Sequence, residues 1–310
     1  MSDRAKISAD AEIGPYCVID GEVEIGPGTV VESHARIGSK YGRVTIGANN
    51  RIQHGAVLGG PPQDLSYEGG AYTALMIGSH NRIGELVSMN VGTAKGGGVT
   101  RIGDHNFIMA YSHVGHDCQL ADHIIIVNSG QFAGHVTIEH HSVVSGVCAV
   151  TQFTRLGAYS FLAAGAFANK DIVPFAMAEG HWATPRAINR VGLKRAGFDA
   201  EERRNIDTAL RFVLDRALTI EEVAQRIEAE CGPSDQIAHL LAFIRNSKRG
   251  IARGEQASHR SRRSRVSRAI SCAEAPRARQ RRARCGLRSR RRPQPRRRCR
   301  GANERSSGLP

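Results

Sequence analysis

Long apolar runs are missing from this chain: nowhere do 18 consecutive apolar residues occur, which excludes a membrane-spanning helix. The opening MSDRAKISADAEIG also lacks the apolar core that a secretory signal needs. A soluble, unexported, cytoplasmic protein is therefore expected. Cysteine is scarce in pattern rather than in number. Cys17, Cys118, Cys148, Cys231, Cys272, Cys285 and Cys299 form no C-x-x-C pair and no metal-type spacing, so reduced thiols are expected rather than a disulfide framework. No G-x-S-x-G, P-loop or strand-to-helix G-x-G-x-x-G occurs, and "KGGG" is too weak a signal for phosphate binding. No cofactor and no metal are expected.

Negative charge is nearly absent from one end only. From Arg249 onward 21 arginines face three glutamates, a net of +18, which leaves residues 1–248 at −4 of the +14 total. The body is mildly acidic and only its tail is basic. Beyond Lys248 there is no lysine, and past Arg253 the chain is mostly Arg, Ala, Ser, Pro and Gly. Such a composition reads as disorder. It also fits out-of-frame translation of GC-rich DNA, which is favoured over a nucleic-acid-binding arm.

What is abundant is a period of six. Aliphatic residues recur at Ile7, Ile13, Ile19, Ile25, Val31 and Ile37, then from Ile102 through Ile108, Val114, Leu120, Ile126, Phe132, Ile138, Val144 and Val150 to Leu156 and Leu162. Glycine often follows the aliphatic, as at Gly14, Gly26, Gly103 and Gly115. Neither a helix nor a simple alternation repeats at six. A short strand plus a tight turn does, with one inward aliphatic per unit and glycine relieving the turn. Three units close a triangular coil of 18 residues, and 23 hexads give seven to eight stacked coils of a parallel β-solenoid. Breaks at 43–45, 64–76 and 95–101 are expected to be loops leaving the prism. The pattern predicts a β-solenoid over 1–185, an α-helical region over 186–253 and the Arg-rich tail over 254–310. Asp199, Thr219 with Glu222, and Ser234 mark three helix starts.

Stacking at 18 residues places His116, Gly134 and Gln152 in one column, and Asp117, His135 and Phe153 in the next. Three readings follow. His116 acts as a general base with its ring oriented by Asp117 and with the Gly134 N–H as oxyanion donor, the equipment of acyl transfer. Alternatively His113, His116 and His135 hold zinc, or these are idle corner residues. Cys118, four after Val114, is expected to be a buried, inert thiol.

The stretches IGPYCVI, PPQDLSYEG, NRIGE, GTAKGGGVTRIGDHN, HVGHDCQL, AGHVTIE, DIVPFAMAEGHWATP and NRVGLKRAGF together resemble the UDP-N-acetylglucosamine O-acyltransferases that begin lipid A synthesis. The resemblance covers about residues 1–253. It implies a left-handed parallel β-helix with a small α-helical C-terminal domain, assembled as a homotrimer with sites between subunits. It implies transfer of an R-3-hydroxyacyl chain from acyl carrier protein to the 3-hydroxyl of UDP-N-acetylglucosamine. His116 matches the family's base and Gly134 its oxyanion donor. Asp64 matches a sugar contact, and His113, His135 and Gln152 match other cleft residues. Asn189 and Arg195 match positions near the nucleotide. The chain departs from the family's usual residues at Ser66, Asn90, Val91, Thr151 and Ala196, which removes cationic or imidazole groups around the cleft. Trp182 places an indole in the acyl-binding region. Alternatives on the same scaffold are N-acylation of a 3-amino sugar nucleotide, a zinc carbonic anhydrase, and a non-catalytic solenoid or nucleic-acid binder.

Overall fold

The six-residue period becomes a three-faced prism in the computed structural model, which describes residues 1–67 and 72–253. Strands of mostly two residues, such as His113–Val114, Gln119–Leu120 and Ile125–Ile126, fall on successive faces. They build two parallel sheets of eight strands and one of ten. This is a left-handed parallel β-helix, the rare hand for parallel crossovers. Its axis is filled by the repeated aliphatics: Ile37, Ile52, Leu58, Ile83, Ile108, Val114 and Ile126 are fully buried, each worth roughly 1.5–3 kcal/mol. Ile7 and Ile13 are only half-buried because they belong to the first coil, which has no coil beneath it. The basic tail, with its proposed disorder or nucleic-acid role, lies outside the described residues.

Register follows the arithmetic of the sequence. Val114 pairs with Phe132, and Phe132 with Val150, at 18-residue steps. The three breaks lengthen single coils: Ile25 pairs with Ile46 at 21 residues, Ile52 with Ile83 at 31 and Ile83 with Ile108 at 25, which is 18 plus 3, 13 and 7. The extra residues do not all leave the prism. Arg43–Thr45 lie within the strand Gly42–Ile46, which pairs along its length with Thr73–Ile77, itself paired with Val99–Ile102. Three adjacent coils each carry surplus chain, so their strands extend backward together and bond one another, and the excursions sit just before them.

Glycine's role also differs from the expectation. Gly14 and Gly115 are not the residues with positive φ; those are Tyr16 and Asp117, two positions later, at φ of 60° and 59°. The glycines stand where neighbouring coils meet. A Cβ on Gly115 would lie 2.8 Å from the Phe132 carbonyl oxygen, and one on Gly14 would lie 2.9 Å from Ser33 N. Close approach rather than turn geometry demands glycine there.

A buried asparagine ladder ties the elongated coils together: Asn81 N–H donates to Asn50 Oδ1 at 2.9 Å, Asn106 N–H to Asn81 Oδ1 at 2.8 Å, and Ile124 N–H to Asn106 Oδ1 at 2.7 Å. Beyond the last coil the chain forms an antiparallel pair, Ala176–Glu179 with Thr184–Ile188. Four helices follow among the described residues: α1 (Arg190–Arg195), α2 (Ala200–Leu214), α3 (Ile220–Glu230) and α4 (Asp235–Arg245). Asp199, Thr219 and Ser234 cap α2, α3 and α4 as read from the sequence. The short α1, capped by Asn189, was not anticipated. The helices are pinned to the prism at Glu139, which bonds Arg155 at 3.1 Å and His239 of α4 at 2.8 Å, while Arg155 lies over the Phe243 ring at 3.9 Å.

Candidate active site

Each coil turns three corners, and the corner following His113–Val114 gathers most of the candidate side chains. The turn puts Asp117 in the left-handed region, φ 59°, which Asp tolerates better than most residues. Its side chain goes inward and is fully buried. There the carboxylate accepts from Thr93 N–H at 2.8 Å, from the Thr93 hydroxyl at 2.7 Å and from His116 Nδ1 at 2.8 Å, while Asp117 N–H donates to Thr100 Oγ1 at 2.8 Å. A carboxylate accepting from Nδ1 fixes the imidazole tautomer, so Nε2 is the free, basic nitrogen.

The next coil closes over the ring. His135 N–H donates to the His116 carbonyl at 2.9 Å. Gly134 lies against the imidazole so closely that an added Cβ would stand 2.5 Å from Cε1 and 2.6 Å from Nε2. Among the described residues the Gly134 N–H has no backbone acceptor. The His135 ring stands edge-on to His116, 5.1 Å between centroids, and stacks on Phe153 at 4.4 Å. Gln152 follows in the His116 column, exposed and without a side-chain bond among the described residues. His113 Nδ1 pairs with Ser88 Oγ at 2.8 Å. The half-buried Asp64 takes hydrogen bonds from Ser66 N–H and hydroxyl at 2.8 and 2.9 Å. Those bonds hold its carboxyl below the ordinary range, with His116 and Lys95 adding to the effect. Asn90 is buried with its Oδ1 unpartnered among the described residues.

The ligand-capable group at this corner is His116, Asp117 and His135, their donor atoms within 4.8 Å of one another. It does not include His113, the third member of the three-histidine reading. Cys118 is fully buried, donates to Ala133 O at 3.2 Å, and burial pushes its thiol up to about 12; it is packing.

Two residues are not brought here. Asn189 caps α1 and bonds Tyr159 O at 2.9 Å, while its own N–H donates to Phe175 O at 2.7 Å. Tyr159 and Phe175 stack on the corner that also carries His141, a different edge from that of Asp117, His135 and Phe153. Arg195 lies exposed at the end of α1. Trp182, about half exposed, lines a cavity of about 380 Å³ with Asn169, Lys170, Arg216 and Arg253, farther along the His116 corner. Sequence reasoning missed Thr93, Thr100 and Gly96. A Cβ on Gly96 would fall 2.2 Å from Asp117 Cγ, so the KGGG loop is a lid on the carboxylate rather than a phosphate cradle. Thr93 and Asp117 stand 24 residues apart, off the 18-residue column, so regular spacing carried no signal for the pair.

Burial lowers the pKa of His113, His135, His140 and His141 below the ordinary 6.5. The unfolded chain then binds more protons than the folded one below that value, so stability present above pH 6.5 is lost as pH falls. The thermal midpoint is expected to drop between pH 7.5 and pH 5.5; a midpoint that rises would contradict the assignment.

The family described as UDP-N-acetylglucosamine O-acyltransferase, domain 2, matches residues 171–252, and the bacterial transferase hexapeptide family, six repeats, matches residues 4–39. The chain is 43% identical over 212 residues to an acyl-[acyl-carrier-protein]--UDP-N-acetylglucosamine O-acyltransferase of Myxococcus xanthus, covering 68% of this chain and 82% of that one. It is 35% identical over 251 residues to the protein of that name from Campylobacter concisus, covering 81% and 94%. The solved UDP-N-acetylglucosamine acyltransferase of Francisella novicida superposes with a TM-score of 0.78 at 37% identity, over 83% of this chain and 93% of the other.

Proposed function

Because the chain belongs to the acyl carrier protein dependent UDP-N-acetylglucosamine O-acyltransferases, we propose that His116 is the base of that reaction, Asp117 its orienting carboxylate and Gly134 its oxyanion donor. The enzyme transfers an R-3-hydroxyacyl chain from acyl carrier protein to the 3-hydroxyl of UDP-N-acetylglucosamine, the first step of lipid A synthesis. The observation that carries the residue assignment is the 2.8 Å bond from His116 Nδ1 to the buried Asp117. As the sugar oxygen attacks the thioester carbonyl, Nε2 accepts its proton and the Gly134 N–H faces the developing oxyanion. Collapse breaks the carbon–sulfur bond, and the proton passes from His116 to the departing thiolate.

Asp64, His113, His135 and Gln152 are assigned to the acceptor side of the same corner. Asn189 and Arg195 stand on another edge, so they serve a His116 site only from a second copy. A cyclic homotrimer meets that requirement. No described helix is long and apolar enough to cross a membrane, and a cytoplasmic location is the reading that suits both substrates.

The test is an assay of the purified chain with R-3-hydroxyacyl carrier protein and, separately, UDP-N-acetylglucosamine and its 3-amino analogue. Ester formation supports the reading, and amide formation alone overturns the choice of acceptor. The half-exposed indole of Trp182 is assigned to limiting the acyl chain. Among ten-, twelve- and fourteen-carbon donors, Trp182→His is expected to move the preference toward longer chains by about tenfold. An unchanged ratio removes Trp182 from chain selection.

A further inference from the structure

The three groups that meet around Asp117 are also a donor set for a metal ion. His116, Asp117 and His135 bring their donor atoms within 4.8 Å of one another, and no other cluster of three or more His, Cys, Asp or Glu does so among the described residues. His116 Nδ1 stands 2.8 Å and His135 Nε2 3.8 Å from the same oxygen, Asp117 Oδ2. Zinc holds such donors at about 2.0–2.2 Å in a tetrahedron, which sets neighbouring donors about 3.3 Å apart. The two separations fall on either side of that value, so small side-chain rotations suffice. Thr93 fixes the carboxylate between them, its N–H bonding Oδ1 at 2.8 Å and its hydroxyl bonding Oδ2 at 2.7 Å. The Asp117 side chain is fully buried, while those of His116 and His135 are 11% and 23% exposed, so the imidazoles face the solvent from which an ion enters. Two imidazoles and one carboxylate favour zinc and its transition-metal neighbours over magnesium or calcium, which prefer oxygen donors.

An ion held here moves the proton of His116. In the proposed catalytic tautomer Nδ1 carries the proton and donates it toward Asp117, while Nε2 keeps its lone pair. A metal needs the Nδ1 lone pair, so that proton passes to Nε2, the other nitrogen of the ring. Nε2 then carries a hydrogen and cannot accept one from the sugar hydroxyl. We propose that His116 Nδ1, Asp117 Oδ2 and His135 Nε2 form an inhibitory site for a divalent ion of the zinc class. The ion and the reaction require opposite tautomers of one histidine. The site stands on geometry, and its inhibitory effect rests on the acyltransferase reading above.

Cobalt(II) stands in for zinc because its visible d–d bands report coordination. Added to the full chain after chelator treatment, it is expected to give the intense absorption of a four-coordinate site, saturating at a single ion per chain. His135→Ala should weaken that binding by about 10²-fold or more. His113→Ala should leave the spectrum intact, which separates this site from one built of three histidines. His135→Cys should keep the ion and add a sulfur-to-cobalt charge-transfer band, a signature that requires a folded chain with a ligand at this position. A wild type without the four-coordinate band, or a cysteine variant without the charge-transfer band, overturns the site. Saturating zinc is expected to lower kcat for acyl transfer by about 10²-fold, the share of the base it disables, with magnesium inert and chelator restoring the rate. Zinc that leaves kcat unchanged, or raises it, overturns the inhibitory role. A metal-free chain with no acyl transfer would instead overturn the acyltransferase reading, because the cobalt spectrum is read without turnover.

Discussion

Replacing His116 with alanine is expected to lower kcat by about 10²- to 10⁴-fold, the contribution typical of a positioned general base, while leaving the thermal midpoint nearly unchanged. The reasoning starts from the ring's partners. Nδ1 is bound to Asp117 at 2.8 Å and the ring edge rests on Gly134. Its side chain is not one of the aliphatic pillars along the axis, since the inward positions of that coil belong to Val114, Cys118 and Leu120. Removing the imidazole therefore takes away the proposed proton acceptor and few apolar contacts. The Asp117 carboxylate keeps both Thr93 donors, at 2.8 and 2.7 Å, so it is not left stranded in the interior. Activity within a few-fold of wild type would dismiss His116 as base.

The prism was legible because its physics is one-dimensional. A coil that must stack on its neighbour repeats its inward aliphatic every six residues, so Val114, Phe132 and Val150 could be aligned by counting. The same counting placed His116 below Gly134 and Asp117 below His135, since hydrogen bonds such as His135 N–H to His116 O keep that register. Counting fails where the period is interrupted. Thr93 reaches Asp117 only because an insertion folds back over the corner, and Gly96 is glycine because a carboxylate lies beneath it. Neither fact has a spacing signature. The strands around Arg43 and Ala74 were likewise hidden, because residues that look like surplus within one coil pair with surplus in the next. The placement of Asn189 is a third kind of case. Its motif marks it for the nucleotide, while its bonds to Tyr159 and Gly192 hold it on another corner and make it a helix cap within the single chain.

Gly134→Ala should be the second large effect, about 10²-fold in kcat, and it isolates geometry from hydrogen bonding. The substitution keeps the backbone N–H, so an oxyanion donor at this position survives it. Its φ is not positive, so no backbone strain accompanies the methyl group. What changes is space: the new Cβ would stand 2.5 Å from His116 Cε1 and 2.6 Å from Nε2, well inside contact distance. The ring must swing away, and with it either the Asp117 bond lengthens or Nε2 leaves the line of attack. A misplacement on the order of 1 Å costs roughly 10²-fold in a reaction that depends on near-attack geometry. The midpoint of thermal unfolding is expected to move little, because the displaced ring lies at the corner and not on the axis. Activity close to wild type in Gly134→Ala would mean that His116 tolerates displacement, which a base fixed by Asp117 does not.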